Sequence, residues 1–146
     1  MSIIKQRGVN MQACTLSSLD LGSRNPKDLI SLLKKGLSTD IFPKVAACLR
    51  VSERQLADTV DITISTLTRR KRIGRFTTAE SERLYRLIRI YNRAMDVLGS
   101  EESARKWLTT PIKALGWEEP LDYAGTEAGA REVESVLGRI EHGVFS

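Results

Sequence analysis

The residues with the clearest chemical pattern are short hydroxyl side chains followed by a cluster of arginines, between positions 63 and 72. Short hydroxyls at the start of a helix can reach the base edges and phosphates of DNA, and arginines bind phosphates or the edge of guanine. The residues that we expect to contact DNA are Thr63, Ser65, Thr66, Thr68, Arg69, Arg70 and Arg72. The alternative is an ordinary helical hairpin with a solvated basic end, because basic surface runs are common.

Two short helices joined by a tight turn would position these side chains. Ser52 and Gln55 have the S-x-x-Q spacing of a capping box, which predicts that the first helix begins near Glu53. Asp61 follows that helix, and aspartate is one of the few residues other than glycine that accept a left-handed turn conformation. The turn is therefore predicted at Asp61.

Thr63 can cap the second helix, with Ile62 before it and Leu67 four residues into it, which is the spacing of a hydrophobic staple. In a helix-turn-helix the second helix lies in the major groove with its N-terminal end toward the bases. The stretch resembles the Xre/Cro-type helix-turn-helix: L-A, three residues, a turn, and an apolar residue followed by T-I-S-T-L. It departs from that pattern at Asp61, where glycine is usual.

The charge of the chain is unevenly distributed. Its formal net charge is +5, but residues 1–100 contain 18 Lys and Arg against 9 Asp and Glu, whereas residues 101–146 contain 5 against 9. A basic front and an acidic back indicate two surfaces with different partners. The N-terminus lacks the apolar core of a signal peptide, and no apolar run approaches the length of a membrane span. These features favour a cytoplasmic protein without a membrane partner.

Two cysteines, Cys14 and Cys48, leave a disulfide open. Cys48 lies in an apolar helical stretch and is predicted to be a small core residue. Because nothing in the sequence indicates secretion, we expect the protein to be reduced.

Helical periodicity extends through the rest of the chain and predicts an all-α fold of about seven or eight helices. An amphipathic helix is expected between Asn25 and Gly36, with its apolar face buried. Residues 114–117 are predicted to form a loop that the side chains of Leu115 and Trp117 anchor in the core. The expected organisation is an arm over 1–24, a helix-turn-helix region over 25–76, and a toxin-binding and dimerisation region over 77–146, the last role resting on the resemblance given below.

A longer helix is expected to begin at a T-x-x-E capping box, Thr77 to Glu80, and to run to about residue 98. Arg86, Arg89 and Arg93 recur on one face of it. This stripe is either a solvated helix surface or a contact for phosphates or an acidic partner.

Chemistry that would indicate an enzyme is missing from the sequence. His142 is the single histidine, no cysteine and histidine cluster has metal-ligand spacing, and no phosphate-binding glycine loop occurs. We therefore expect no catalytic activity, no cofactor and no metal. His142 itself could be a pH switch, a partner contact, or a charge that favours the C-terminal end of a helix dipole.

The back half of the chain resembles the antitoxin family that includes Xre, MbcA and ParS. The resemblance is carried by residues 94–108 (AMDVLGSEESARKWL), Pro111, 114–116, 120–121, 126–130 and 137–144. The order and spacing of four motifs are more specific to this family than any one motif alone. The motifs are A–WL, P–ALG, PL and L-x-R-I-x-x-G-V. With the helix-turn-helix included, the resemblance covers roughly residues 37–146.

The resemblance implies an antitoxin that neutralises a RES-domain toxin, with NAD degradation or ADP-ribosylation left open as the chemistry of the toxin. It also implies a homodimer within a larger toxin–antitoxin complex, and operator binding that represses the module's own promoter. In this family C-terminal residues approach the active site of the toxin, a role that falls here on Arg139, His142, Gly143, Val144, Phe145 and Ser146. The alternatives are a stand-alone helix-turn-helix transcription regulator with a dimerising C-terminal domain, and a helical protein-binding module that never touches DNA.

Overall fold

The computed structural model describes residues 25–143 and contains α-helices throughout that range. The all-α prediction is confirmed, since the described residues form no strand beyond two isolated β-bridges. In chain order the helices are α1 (Pro26–Lys35), α2 (Ile41–Leu49), α3 (Glu53–Thr59), α4 (Ile64–Ile73), α5 (Thr78–Leu98), α6 (Glu101–Leu108), a short 3₁₀ helix (Lys113–Leu115), α7 (Pro120–Tyr123) and α8 (Glu127–Glu141).

The chain divides into two compact units, Met1–Leu84 and Tyr85–Ser146, with the division inside α5. The core of the first unit is built where α2, α3 and α4 meet. Phe42, Leu56 and Ala57 are fully buried, and the ring of Phe42 lies 5.8 Å from that of Phe76. The residue that α4 buries in this core is Leu67.

The end of α1 is fastened to the segment that follows α4. Gly36 has φ +97°, and a Cβ placed on it would lie 2.0 Å from the carbonyl oxygen of Phe76, so only glycine fits there. The Phe76 N–H donates to the carbonyl of Leu37 at 2.9 Å, and the Leu37 N–H donates to the Ser81 hydroxyl at 2.8 Å. These contacts fix the exit of α4 against the start of α2.

Helix α1 has the predicted bounds, but the prediction that its apolar face is buried is wrong for the described residues. None of its side chains is buried, and Ile30 is 53% exposed. Amphipathic spacing identifies which face of a helix is apolar, but it does not determine whether another element covers that face.

The second unit combines the C-terminal part of α5 with α6, α7 and α8. Its core contains small and branched side chains that are fully buried, among them Ala94, Leu108, Val133 and Leu137. Leu115 is buried as predicted, but Trp117 is 66% exposed, so its expected role as an anchor is wrong. The reason is local. Gly116 and Trp117 both have φ of +68°, so the backbone makes a tight turn at Trp117 instead of continuing as a helix or strand.

Cys48 is buried in α2, as predicted for a core residue. Cys14, the second half of the disulfide that the sequence left open, lies outside the described residues. Between residues 25 and 143, no helix is long and apolar enough to cross a membrane.

Candidate functional site

The helix-turn-helix begins with the predicted capping box. The Gln55 N–H donates to the Ser52 hydroxyl at 3.0 Å, and the Ser52 N–H donates to the Gln55 side chain at 2.9 Å. Helix α3 therefore starts at Glu53. Asp61 adopts the predicted left-handed conformation with φ +56°, and the Ile62 N–H reaches the carbonyl of Ala57 at 2.8 Å. The aspartate thus performs the turn where the related pattern has glycine.

The first turn of α4 is fixed by Thr63. Its hydroxyl oxygen accepts the Thr66 N–H at 3.2 Å, and the hydroxyl donates to the Thr66 hydroxyl at 2.9 Å. Ile62 and Leu67 are both buried, as the hydrophobic-staple spacing predicts. The N-terminal end of the helix is therefore held in one conformation, while its outer face remains available.

Most of the side chains expected to contact DNA lie on that outer face. Thr63, Ser65, Thr68, Arg69 and Arg72 are exposed, and Thr66 is half-buried beside the cap. The Thr68 hydroxyl donates to the carbonyl of Ile64 at 3.0 Å, which leaves its oxygen able to accept. Over residues 25–143 neither Arg69 nor Arg72 forms an ion pair. The outer face of α4 therefore exposes two guanidinium groups and three hydroxyls to solvent.

The side chain of Arg70 is bound within the protein, unlike those of Arg69 and Arg72. Its Nε donates to Glu80 Oε1 at 2.8 Å, and the two side chains are only 18% and 9% exposed. Burial acts to raise the pKa of Glu80, but the hydrogen bonds from Arg70 and Thr77 outweigh it, so this pKa lies below its ordinary value. Arg70 therefore joins α4 to the capping box of α5, and its guanidinium is already bound.

One exposed residue on the same face was not predicted from the sequence. Ile64 is 38% exposed and begins α4, one helical turn before Thr68. The four-residue spacing is visible in the sequence, but isoleucine is ordinarily a core residue, so the spacing alone does not predict that Ile64 is exposed.

The arginine stripe of α5 serves neither of the two predicted roles. Each arginine pairs with a glutamate of α8 in the second unit. The three pairs are Arg86–Glu127 at 3.2 Å, Arg89–Glu134 at 2.9 Å and Arg93–Glu141 at 2.5 Å. Both guanidinium arms of Arg89 and of Arg93 contact the carboxylate, a two-point geometry that fixes orientation as well as distance. The stripe therefore fastens α5 to α8.

The pKa values of two of these glutamates reflect the pairing. Burial acts to raise the pKa of Glu127, but the hydrogen bond from Arg86 and the neighbouring positive charges lower it overall. The hydrogen bond from Arg93 lowers the pKa of Glu141. Both carboxylates therefore favour the charged form more strongly than a solvated glutamate does.

The residues assigned to toxin contact lie at the end of α8. Arg139 is half-buried and its guanidinium donates to the Ser135 hydroxyl at 3.3 Å. His142 is exposed directly after the helix, and Gly143 turns the chain with φ +70°. Val144, Phe145 and Ser146 lie outside the described residues. Within 25–143 no group of three or more metal-ligating side chains is close enough to hold an ion.

Comparison with known proteins agrees with both parts of this arrangement. Residues 28–89 match the family model of the antitoxin Xre-like helix-turn-helix domain. Residues 93–143 match that of the antitoxin Xre/MbcA/ParS C-terminal toxin-binding domain.

Three relatives cover most of the chain. A protein named antitoxin Xre from Yersinia enterocolitica is 38% identical over 120 residues, which are 81% of each chain. A protein of the same name from Photorhabdus laumondii is 33% identical over the same share of both chains. A protein named Prs ADP-ribosylating antitoxin, from a Sphingobium species, is 26% identical over 134 residues, 84% of this chain and 83% of its own. The chain therefore belongs to the Xre/MbcA/ParS-type antitoxins of toxin–antitoxin modules, with an Xre-like helix-turn-helix.

Proposed function

We propose that this antitoxin neutralises a RES-domain toxin by blocking its active site, and that it represses its own operon through α4. The observation that supports both activities is the presence of two matched domains in one chain. A helix-turn-helix whose outer face carries exposed hydroxyls and the exposed arginines Arg69 and Arg72 precedes a unit that matches a toxin-binding domain. We propose that the protein acts in the cytoplasm as a homodimer within a larger complex with its toxin and operator DNA, without catalytic activity of its own.

DNA contact is assigned to Thr63, Ser65, Thr68, Arg69 and Arg72. Arg69→Ala or Arg72→Ala should weaken operator binding by about 1–3 kcal/mol if the guanidinium reaches a base, and about equally on all sequences if it reaches phosphate only. Binding should be measured by gel shift on the gene's own promoter at two salt concentrations, since phosphate contacts alone give nonspecific binding.

Arg131→Ala is the matched control for these arginine variants. Arg131 is 76% exposed and lies in the second unit, so the control also removes one surface positive charge. It should bind the promoter as the unaltered protein does. Operator affinity that is unchanged in both the Arg69 and Arg72 variants would exclude α4 as the recognition helix.

Toxin contact is assigned to Arg139, His142 and residues 143–146. A tail that follows a capped helix can enter a cleft of a partner, and an aromatic side chain such as Phe145 can fill it. Deletion of residues 143–146 should abolish neutralisation in cells that express the toxin, while circular dichroism still shows a helical protein. Replacement of the four residues by a glycine and serine sequence of the same length is the control that separates side-chain contacts from chain length.

The identity of the toxin is the finer part of the proposal. ADP-ribosylation takes its ADP-ribose from NAD, and the name of the Sphingobium relative links that protein to this chemistry. An NAD-consuming RES-domain toxin is a partner consistent with it. Co-expression with the product of the neighbouring gene should rescue growth and restore cellular NAD. Absence of both rescue and a soluble complex, with specific promoter binding intact, would favour the stand-alone transcription regulator instead.

A further inference from the structure

We propose that Ile64 reads a thymine of the operator by packing against the 5-methyl group of that base in the major groove. This role rests on the operator binding proposed above. It adds one apolar base contact to the hydroxyl and guanidinium contacts already assigned to α4, and it predicts which base the operator carries at that position.

Ile64 occupies the end of α4 that a helix-turn-helix directs toward the bases. It is the first residue of the helix, directly after the Thr63 cap. In this motif the N-terminal residues of the second helix contact base edges in the major groove. The Thr63 cap and the hydrogen bond from the Thr68 hydroxyl to the Ile64 carbonyl, at 3.0 Å, hold this turn of the backbone. The Ile64 side chain therefore starts from a fixed backbone.

The core of the first unit does not fully cover Ile64. Ile62 and Leu67, the apolar residues nearest to it along the chain, are each 4% exposed, whereas Ile64 is 38% exposed. A single exposed apolar side chain is common on protein surfaces and needs no partner. Ile64 differs in its surroundings, because it shares the outer face of α4 with the exposed side chains of Ser65 and Thr68. DNA contact is assigned to both of these neighbours.

The charge of α4 favours a nucleic acid as the partner of this face. The helix contains four basic side chains and no acidic one. Arg69 and Arg72 are exposed among them. A positive surface of this kind suits the phosphates that border the major groove. An apolar side chain on the same face would reach the base edges when these guanidinium groups reach the duplex.

The chemistry of isoleucine selects thymine among the bases. Its side chain can neither donate nor accept a hydrogen bond, and the 5-methyl group of thymine is the apolar group that base edges present in the major groove. Covering a donor or acceptor with Ile64 would leave that group unpaired, which costs free energy, whereas covering the methyl group removes apolar surface from water on both sides. A β-branched side chain also has one strongly preferred χ1 rotamer in a helix, so little side-chain entropy is lost on contact.

The test uses the full-length antitoxin and the promoter of its own gene, prepared either with thymine or with uracil, which lacks only the 5-methyl group. Uracil replaces one thymine at a time within the protected footprint, and fluorescence anisotropy measures affinity at a fixed salt concentration. At one position in each half-site, uracil should weaken binding of the unaltered protein about fourfold, the loss expected for one buried methyl group.

Ile64→Ala should bind the thymine duplex several-fold more weakly and should lose most of the preference for thymine at that position. The four affinities form a double-mutant cycle, in which the coupling between side chain and methyl group is measured directly. Alanine is a good helix former, so circular dichroism should show an unchanged helical protein.

Ile73→Ala is the matched control. Ile73 is an exposed isoleucine of the same helix, 65% exposed, and it lies at the C-terminal end. The nine positions between it and Ile64 are about two and a half helical turns, which place the two side chains on opposite sides of α4. This variant should keep both the affinity and the preference for thymine.

A preference for thymine that Ile64→Ala retains in full would overturn the inference and leave the proposed operator binding intact. The same conclusion would follow if uracil weakened binding of the unaltered protein at no position. Loss of self-association in Ile64→Ala, with the preference for thymine unchanged, would overturn it in favour of a contact between two copies of this chain. If the unaltered protein shows no specific binding to the promoter, the proposed operator binding fails and the role of Ile64 fails with it.

Discussion

Two glycines of α8 should respond to the same substitution in opposite directions. Gly129 is buried near the start of the helix, where a Cβ would lie 1.7 Å from the carbonyl oxygen of Tyr123 and 2.9 Å from its carbonyl carbon. Backbone atoms cannot rotate away, so α7 and α8 would have to separate by more than an ångström. Gly138 lies in the same helix, and a Cβ there would meet nothing within 4 Å.

The expected magnitudes follow from these distances. Overpacking a closely packed site costs about 1–3 kcal/mol, so Gly129→Ala should destabilise the second unit by that amount. Gly138→Ala should stabilise it by about 0.5–1 kcal/mol, because alanine loses less backbone entropy than glycine when a helix forms. The two variants should therefore differ by roughly 1.5–4 kcal/mol in the free energy of unfolding.

Tryptophan fluorescence during urea unfolding provides a selective assay. The chain has two tryptophans, Trp107 and Trp117, and both belong to the second unit, so the signal reports the part of the protein that contains α8. Trp107 is half-buried and should carry most of the change. If Gly129→Ala proves as stable as the unaltered protein, or as stable as Gly138→Ala, the close approach of α7 to α8 is refuted.

Three further predictions concern stability. Leu56→Ala should cost about 2–5 kcal/mol in the first unit, measured by circular dichroism in urea, because a fully buried leucine leaves a cavity. Thr63→Ala should cost about 1 kcal/mol in the same assay without DNA, through the lost cap of α4, and a cost near zero would contradict the cap. Stability should fall as the pH drops below about 4–5. The folded state lowers the pKa of Glu127 and of Glu141, so their ion pairs stabilise the protein above the unfolded-state pKa of glutamate. This stabilisation is lost when the two carboxylates become protonated. Glu127→Gln should flatten that acid slope in urea titrations, and an unchanged slope would show that its ion pair does not contribute.

The sequence was informative where the structural cause is local. The capping box of α3, the left-handed Asp61 and the threonine cap of α4 each depend on residues within three or four positions of one another, and each is observed as predicted. The all-α fold follows for the same reason, since helical periodicity is a property of short windows. The family resemblance was also correct, because it rests on ordered motifs that span most of the chain.

What the sequence could not decide depends on residues brought together from distant positions. Arg70 and Arg69 are adjacent in the chain and chemically identical, yet Glu80, ten residues away, engages only Arg70. The α5 arginines meet glutamates more than forty residues away, and no periodicity within α5 could have indicated that partner. The exposure of Trp117 was likewise decided by the path of its loop. The sequence by itself determined the helices, their caps and the family, because these arise from short-range bonding and motif order. Only the tertiary structure decided which charged and aromatic side chains remain available to a partner, because that depends on what packs against each of them.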